Sequence, residues 1–209
     1  MKDLILKIPG KSFLAGEYLA LQGGPNLVVA TKPSFKIRIS SKENLKVKDR
    51  KSPTFHPQSP AGKFFFEEHD FFEQFSFEWT NQYGVGGFGA STAEFIGLHA
   101  LYQMKDSLWI EQERHFDLHE MLKAYRHFAK DPDSHWIPSG ADLVAQVRGG
   151  ITFMEARSGH LQTYAWPFQN IGFALVRTGH KIPTHEHLKS LPEFNSLGLE
   201  NRQDSAGQI

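Results

Sequence analysis

Between residues 35 and 40 the chain reads Phe35-Lys36-Ile37-Arg38-Ile39-Ser40, with apolar and polar side chains in strict alternation. A period of two puts every second side chain on one face, which predicts a strand buried on one side and wet on the other. Shorter runs, LILKI at 4–8 and NLVVAT at 26–31, predict two more strands, with Gly23-Gly24-Pro25 as the turn between them. The stretch KENLKVKDRKSPTFHPQSPAGK is charged and carries Pro53, Pro57 and Pro60, which cannot donate to a ladder, so residues 49–63 are expected to form a surface loop. A phenylalanine-dense segment follows and ends in another alternating run, Phe75-Ser76-Phe77-Glu78-Trp79.

The period then changes. From Ala93, the apolar positions Phe95, Leu98 and Leu101 or Tyr102 recur at helical spacing, which predicts a helix ending near Met104. LHEMLKAYRHFA at 118–129 aligns Leu118, Met121 or Leu122, Tyr125 and Phe128 in one stripe, a second helix. A third begins in SGADLVAQV and is stopped by Gly149-Gly150. Strands are expected again at 151–156, 162–166 and 171–179, and a fourth helix at 184–191 with Thr184 as its cap. Strands, then helices, then strands is an α+β layout, distinct from the βαβ alternation of a doubly wound sheet.

Composition narrows the function classes. The 209 residues suffice for one substantial core or for one domain with part of a second. Acidic and basic residues balance at 23 each, so no long-range field draws the molecule to nucleic acid or an anionic membrane. Cysteine is absent, which removes disulfides, thiolate nucleophiles and sulfur-ligated zinc together. The N-terminal MKDLILKIPGK has no cleavage-like site, and no apolar run approaches the roughly 20 residues of a membrane span. A cytoplasmic protein without nucleic-acid or membrane partners is expected, and a homodimer is compatible with these features.

The candidate chemistry centres on NQYGVGGFGASTAEF at 81–95. Gly84-Val85-Gly86-Gly87-Phe88-Gly89 fits G-x-G-x-x-G, with Asp106 or Glu111 where a dinucleotide fingerprint has its acidic residue. That fingerprint belongs on the first strand of an alternating unit, whereas here some eighty residues precede it. No G-K-[ST] closes a Walker loop, and no V-A-I-K, H-R-D or D-F-G marks a protein kinase. A turn needed only for packing is the bland alternative. Against it stands Ala90-Ser91-Thr92 at the expected helix start, where backbone amides and the positive dipole end can hold a phosphate while a hydroxyl reaches a metal ion.

Two further segments matter. IPGKSFLAGEYLALQGGPNLVV places Lys11 after a Pro-Gly turn, ahead of Gly16, Glu17 and Tyr18; alone, such a lysine reads as a solvated cation. IPSGADLVAQVRGG places Asp142 three residues after Ser139, which is also the spacing of a helix capping box. The histidines are poorer candidates. His180, His185 and His187 cluster in sequence, but His185 and His187, two apart on a helix, point to different sides, and although His115 and His119 stand at i, i+4 spacing, HEMLK lacks the second histidine of H-E-x-x-H. Acidic residues among the phenylalanines at 63–75 argue for packing over single-stranded nucleic acid.

Taken together, Pro9-Gly10-Lys11 with Gly16-Glu17-Tyr18, then Gly87-Phe88-Gly89-Ala90-Ser91-Thr92-Ala93, then Ser139-Gly140-Ala141-Asp142, resemble the GHMP small-molecule kinases. That superfamily carries P-G-K-x-x-x-x-G-E-[HY], a P-x-G-x-G-L-G-S-S-A-A loop and S-G-x-D in this order, and G-E-Y is most similar to its mevalonate kinase and phosphomevalonate kinase branch. The resemblance implies a ribosomal-protein-like two-layer fold, a mixed sheet with helices on one side, over residues 1–190, with 191–209 as the start of a truncated or absent C-terminal domain. It implies ATP and Mg²⁺ as cofactors, held by Gly84, Gly86, Gly87, Gly89, Ala90, Ser91 and Thr92, with Ser91 and Asp131 (or Asp133) on the metal. Asp142 and Lys11 would be catalytic, and Glu17, Tyr18, Ser139 and Gly140 would face a small hydroxyl- or phosphate-bearing substrate, mevalonate or phosphomevalonate. Other readings are a nucleotide-binding or regulatory fragment without turnover, and an enzyme like mevalonate-diphosphate decarboxylase. The loop departs from the family pattern at Ala90, where the first serine stands, and in the place of its leading proline.

Overall fold

The computed structural model describes residues 3–51, 55–84, 87–105, 116–131, 138–167, 169–172 and 174. Residues Met1–Ile171 form one compact unit and Gly172–Ile209 a second. All the elements below belong to the first. The strand expected at 171–179, the helix at 184–191, the division at 190/191 and the residues Gly86, Asp106, Glu111, His115, Asp133, His180, His185 and His187 lie outside the described residues, apart from positions 171, 172 and 174, which carry no regular structure.

The alternating segment belongs to a much longer strand. β1 (Leu4–Ala15) pairs antiparallel with β2 (Pro25–Ser41), which joins the two runs expected as separate strands. Lys11 therefore does not follow a Pro-Gly turn. Pro9 and Gly10 stay within β1, and the irregularity falls on the partner: Pro9 faces Ser34 while Gly10 faces Thr31, leaving Lys32 and Pro33 as extra residues. The bulge absorbs the proline that a regular ladder would reject.

The opposite edge of β2 is shared. Its first part, Pro25–Val29, pairs with β4 (Ile151–Glu155), and its last part, Lys36–Ser41, with β3 (Phe75–Thr80); β5 (His160–Tyr164) extends the sheet beyond β4. Each of these pairings is antiparallel, where the resemblance implied a mixed sheet; the two-layer α+β arrangement itself is present.

One face of the sheet is covered. Val28, Phe35, Ile37 and Ile39 are fully buried beneath α4 (Ala90–Gln103) and α6 (Ala141–Arg148), and α2 (Pro60–Glu67) and α5 (Leu118–Ala129) pack around them. Arg38 and Glu78 occupy the solvent face, where Glu78 pairs with Lys51 at 2.7 Å. The loop expected at 49–63 gives way to helix at its last four residues, where proline misled the assignment. Pro60 sits at the first helical position, where its missing N–H costs nothing, and Ser59 caps the helix by accepting from the Gly62 amide. The phenylalanines then pack together: Phe64 lies 5.2–5.5 Å from the rings of Phe72, Phe95, His99, Tyr102 and Phe128.

Two other boundaries shift. The strand expected at 162–166 runs instead from His160 to Tyr164, and the segment 69–72 forms a short helix, α3 (His69–Phe72).

Candidate functional site

The start of α4 is the meeting point of three remote parts of the chain. Its N-cap, Gly89, has φ 83°, ψ 31°, left-handed values that glycine adopts without strain, and it offers no side-chain cap to the first-turn amides. Space reinforces the conformation: a Cβ on Gly89 would lie 3.0 Å from both Lys11 Cγ and Gln146 Oε1. The Lys11 amide donates to the Phe88 carbonyl at 3.0 Å, fastening the loop to β1. Gln146 Nε2 donates to the Pro9 carbonyl at 2.7 Å and to that of Gly89 at 3.2 Å, fastening α6 to both.

Asp142 lies one helical turn before Gln146, so both face the same neighbour. Its Oδ2 accepts from Thr92 Oγ1 at 2.6 Å and from the Tyr125 hydroxyl at 3.3 Å, and its Oδ1 from the Leu143 amide at 3.0 Å. The Tyr125 hydroxyl is driven well above its ordinary pKa, by burial first and by the Asp142 charge second, so it remains a donor. Thr92 occupies a place where the family loop carries alanine, and its hydroxyl is committed to the carboxylate.

The capping-box alternative for Asp142 is not what forms. Gly140, at φ 73°, is the N-cap of α6, which has no side-chain cap, and Ser139 Oγ accepts from the Ala141 amide at 3.3 Å. The Ser139 carbonyl is gripped by Arg126 Nη2 at 2.8 Å, and a Cβ on Gly140 would fall 2.2 Å from Leu122 Cδ1. The turn that launches Asp142 is thus held from beneath by α5.

The structure therefore joins Lys11, Gly89 and Gln146 in one group of contacts, and Thr92, Tyr125 and Asp142 in another. Among the described residues no ion pair links Lys11 to Asp142; the Lys11 ammonium lies 4.7 Å above the Phe13 ring. Gly84 and Gly87 are exposed, Ala90 is half-buried, and Ser91 is exposed on the first turn of α4. Asp131 is exposed just past α5. Because Gln103 bonds Asp117 at one end and Thr92 bonds Tyr125 at the other, α5 runs antiparallel to α4, and Asp131 follows the end of α5 nearer the start of α4. Glu17 and Tyr18 open α1 (Glu17–Leu21), beyond the far end of β1, with Glu17 exposed.

Sequence reading missed three residues that shape this site. Gln146 was recoverable from its i, i+4 spacing to Asp142. Tyr125 lay hidden in an apolar stripe. Tyr83 bridges the gap between β3 and β4: its hydroxyl is 2.9 Å from Thr31 Oγ1, its ring stacks 4.4 Å from Phe88, and its oxygen would stand 2.2 Å from a Cβ on Gly10. Nothing local in the sequence signals that contact.

These residues fit a bound polyphosphate. Uncapped amides at a helix start, an exposed Ser91 hydroxyl and a neighbouring lysine are the donors such a ligand requires. Among the described residues no group of three or more acidic or histidine side chains could hold a metal ion. A Mg²⁺ carried by phosphates needs only one or two protein oxygens, so the donor set suits a nucleotide-borne ion rather than a free-standing metal centre.

Two titratable groups, half-buried Glu94 and buried His99, lie on α4. Burial holds Glu94 at a pKa of about 7, up from 4.5, and drives His99 down to about 4 from 6.5, partly opposed by Asp117. Between pH 4.5 and 7 folded Glu94 keeps a proton the unfolded chain has released, so its contribution to stability is full below 4.5 and is lost as pH rises through 7. His99 acts oppositely, losing stability as pH falls from 6.5 towards 4. Glu94→Gln removes the first effect alone: it should stabilise the protein by about 1–2 kcal/mol at pH 8, allowing for partial solvation, and by little near pH 4.5. Urea midpoints at the two pH values measure this, and equal shifts at both would refute it.

No protein-family model matches the chain, and no curated protein matches it. Among solved structures, mevalonate kinase from Methanococcus jannaschii superposes with a TM-score of 0.53 at 14% identity, over 78% of this chain and 56% of that one. The Lin0012 protein from Listeria innocua (0.48, 17%, 73% and 48%) and mevalonate kinase from methicillin-resistant Staphylococcus aureus MRSA252 (0.46, 18%, 78% and 55%) also match. At such identities the likeness is one of fold. The chain has a two-layer α+β fold like that of the Methanococcus jannaschii mevalonate kinase, and it spans 56% of that protein's length. Among the described residues, no helix is long and apolar enough to cross a membrane.

Proposed function

We propose that this chain binds Mg-ATP at the start of α4 and contributes to phosphoryl transfer onto a small acceptor, mevalonate or phosphomevalonate. The observation that carries the reading is the uncapped first turn of α4, approached by Lys11 from β1 and by Asp142 from α6. Gly84, Gly86, Gly87 and Gly89 would let the backbone approach phosphate oxygens, and Ala90, Ser91 and Thr92 would present their amides. Ser91 Oγ would hold the ion, with Asp131 as a further oxygen; the ion supplies charge neutralisation on the transferred group.

The remaining work falls to side chains. Asp142, oriented by Thr92 and Tyr125, accepts the proton of an attacking hydroxyl. Lys11, whose stem packs beside Gly89, swings from the Phe13 ring to the transferred phosphoryl group. Glu17, Tyr18, Ser139 and Gly140 are assigned to the acceptor, as the resemblance implies.

The test is ATP consumption against alcohols, phosphorylated alcohols and mevalonate diphosphate, with carbon dioxide followed to detect a decarboxylase. Calorimetric binding of ATP in the presence of Mg²⁺ accompanies it. Lys11→Ala should weaken ATP binding about tenfold or more, since a charged hydrogen bond to phosphate is lost. Unchanged affinity and rate would return Lys11 to a surface role. Binding without turnover is the second reading, favoured by the Lys11 ammonium resting over the Phe13 ring rather than, among the described residues, in an ion pair with Asp142. ATP affinity with no consumption of any acceptor would select it.

A further inference from the structure

On the flank of the helical layer, α5, α6 and the β4–β5 hairpin enclose a pocket of about 330 Å³ that shares no residue with the glycine loop. Its size is at the lower end of small-molecule sites. Leu118, Leu122, Val144, Met154 and Leu161 provide apolar walls. Two guanidinium groups from different helices, Arg126 and Arg148, also line it, beside the imidazoles of His119 and His160. Among the described lining residues Glu155 is the single carboxylate, and it already accepts from Ser158 Oγ at 2.6 Å.

Among the described residues neither arginine is in an ion pair. Arg126 is partly buried, and its Nε and Nη2 both donate to one neutral acceptor, the Ser139 carbonyl, at 3.3 and 2.8 Å. A guanidinium has five N–H donors, so most of that capacity remains unused. Burial lowers the Arg126 pKa with no carboxylate to offset it. Arg148 is exposed in the last turn of α6. A partly desolvated cation without an anion carries a free-energy cost that a bound anion would relieve.

We propose that this pocket binds a small organic anion, a carboxylate or phosphate monoester on a short apolar body, with its oxygens on Arg126 and Arg148 and its carbons against Leu122, Val144 and Leu161. A cation would meet two like charges, and a fully polar anion would leave the apolar walls wet. The proposal goes beyond the kinase reading and does not depend on it.

Titration calorimetry with hexyl phosphate and hexanoate, on the full chain, tests the site. Both should bind saturably, and hexanol and hexyltrimethylammonium at least tenfold more weakly; whichever anion binds tighter names the headgroup. Arg148→Glu and Leu161→Asp, both at exposed positions, should each weaken binding tenfold or more, whereas Lys11→Ala should leave it unchanged. Arg126→Gln is a poorer probe because it also frees the Ser139 carbonyl. Absence of saturable binding, equal binding of the cation, or loss with Lys11→Ala but not with Arg148→Glu would each overturn the assignment; the last outcome would place the anion at the glycine loop.

Discussion

Phe64→Ala should lower the unfolding free energy by roughly 3–5 kcal/mol, the cost of emptying a site that neighbouring rings cannot collapse to fill. Phe64 is 4% exposed and touches rings from α3, α4 and α5, so the cavity would open where those three elements meet. Its near neighbour Phe66 provides the control. It is 61% exposed, and Phe66→Ala should change stability by no more than about 0.5 kcal/mol. Urea denaturation of both variants measures the contrast. If the two losses were alike, Phe64 would not be the hinge of this packing, and the phenylalanine-rich segment would need another explanation.

Asp142→Asn should reduce turnover of an alcohol acceptor on the order of 10²-fold or more, because an amide cannot take the hydroxyl proton. With a phosphorylated acceptor the attacking oxygen is already anionic, and the same substitution should cost far less. The ratio of the two losses therefore reports on the acceptor as well as on the base. The substitution is nearly isosteric, so Thr92 and Tyr125 keep an oxygen to bond, and circular dichroism should be unchanged. Full turnover of an alcohol by the folded variant would remove Asp142 from the base role and leave positioning by Lys11 and the glycine loop as the whole of the chemistry.

Much of the architecture was legible because it rests on periodicity. The alternating run at 35–40, the stripe at 118–129 and the glycine stop after Arg148 each express a local physical rule, and each element formed where that rule placed it. The errors came where one residue type serves two purposes. Proline at 60 can break a ladder or start a helix, and only the neighbouring Ser59 cap decides. Proline at 9 ends most strands but survives here because β2 bulges opposite it.

At the candidate site, the sequence pointed to Lys11, Gly89 and Asp142, but not to what braces them. Gln146 and Tyr125 act through contacts 57 and 17 residues away in the chain, and Tyr83 reaches back 52 residues to Thr31. Such long-range partners follow from topology, which no local window contains. Helical spacing could have raised Gln146 as a companion to Asp142; for Tyr83 and Arg126 there was no comparable signal.

The sharing of one edge of β2 between two partners has a consequence for biosynthesis. β3 arrives soon after β2 leaves the ribosome, but β4 follows its own partner positions by 122 to 130 residues. At about 5–20 residues per second, the first half of β2 waits roughly 6 to 26 s with open amides and carbonyls beside an apolar surface. Nascent chains should therefore associate through that edge, and soluble yield should fall with rising expression rate before the folded protein itself becomes unstable.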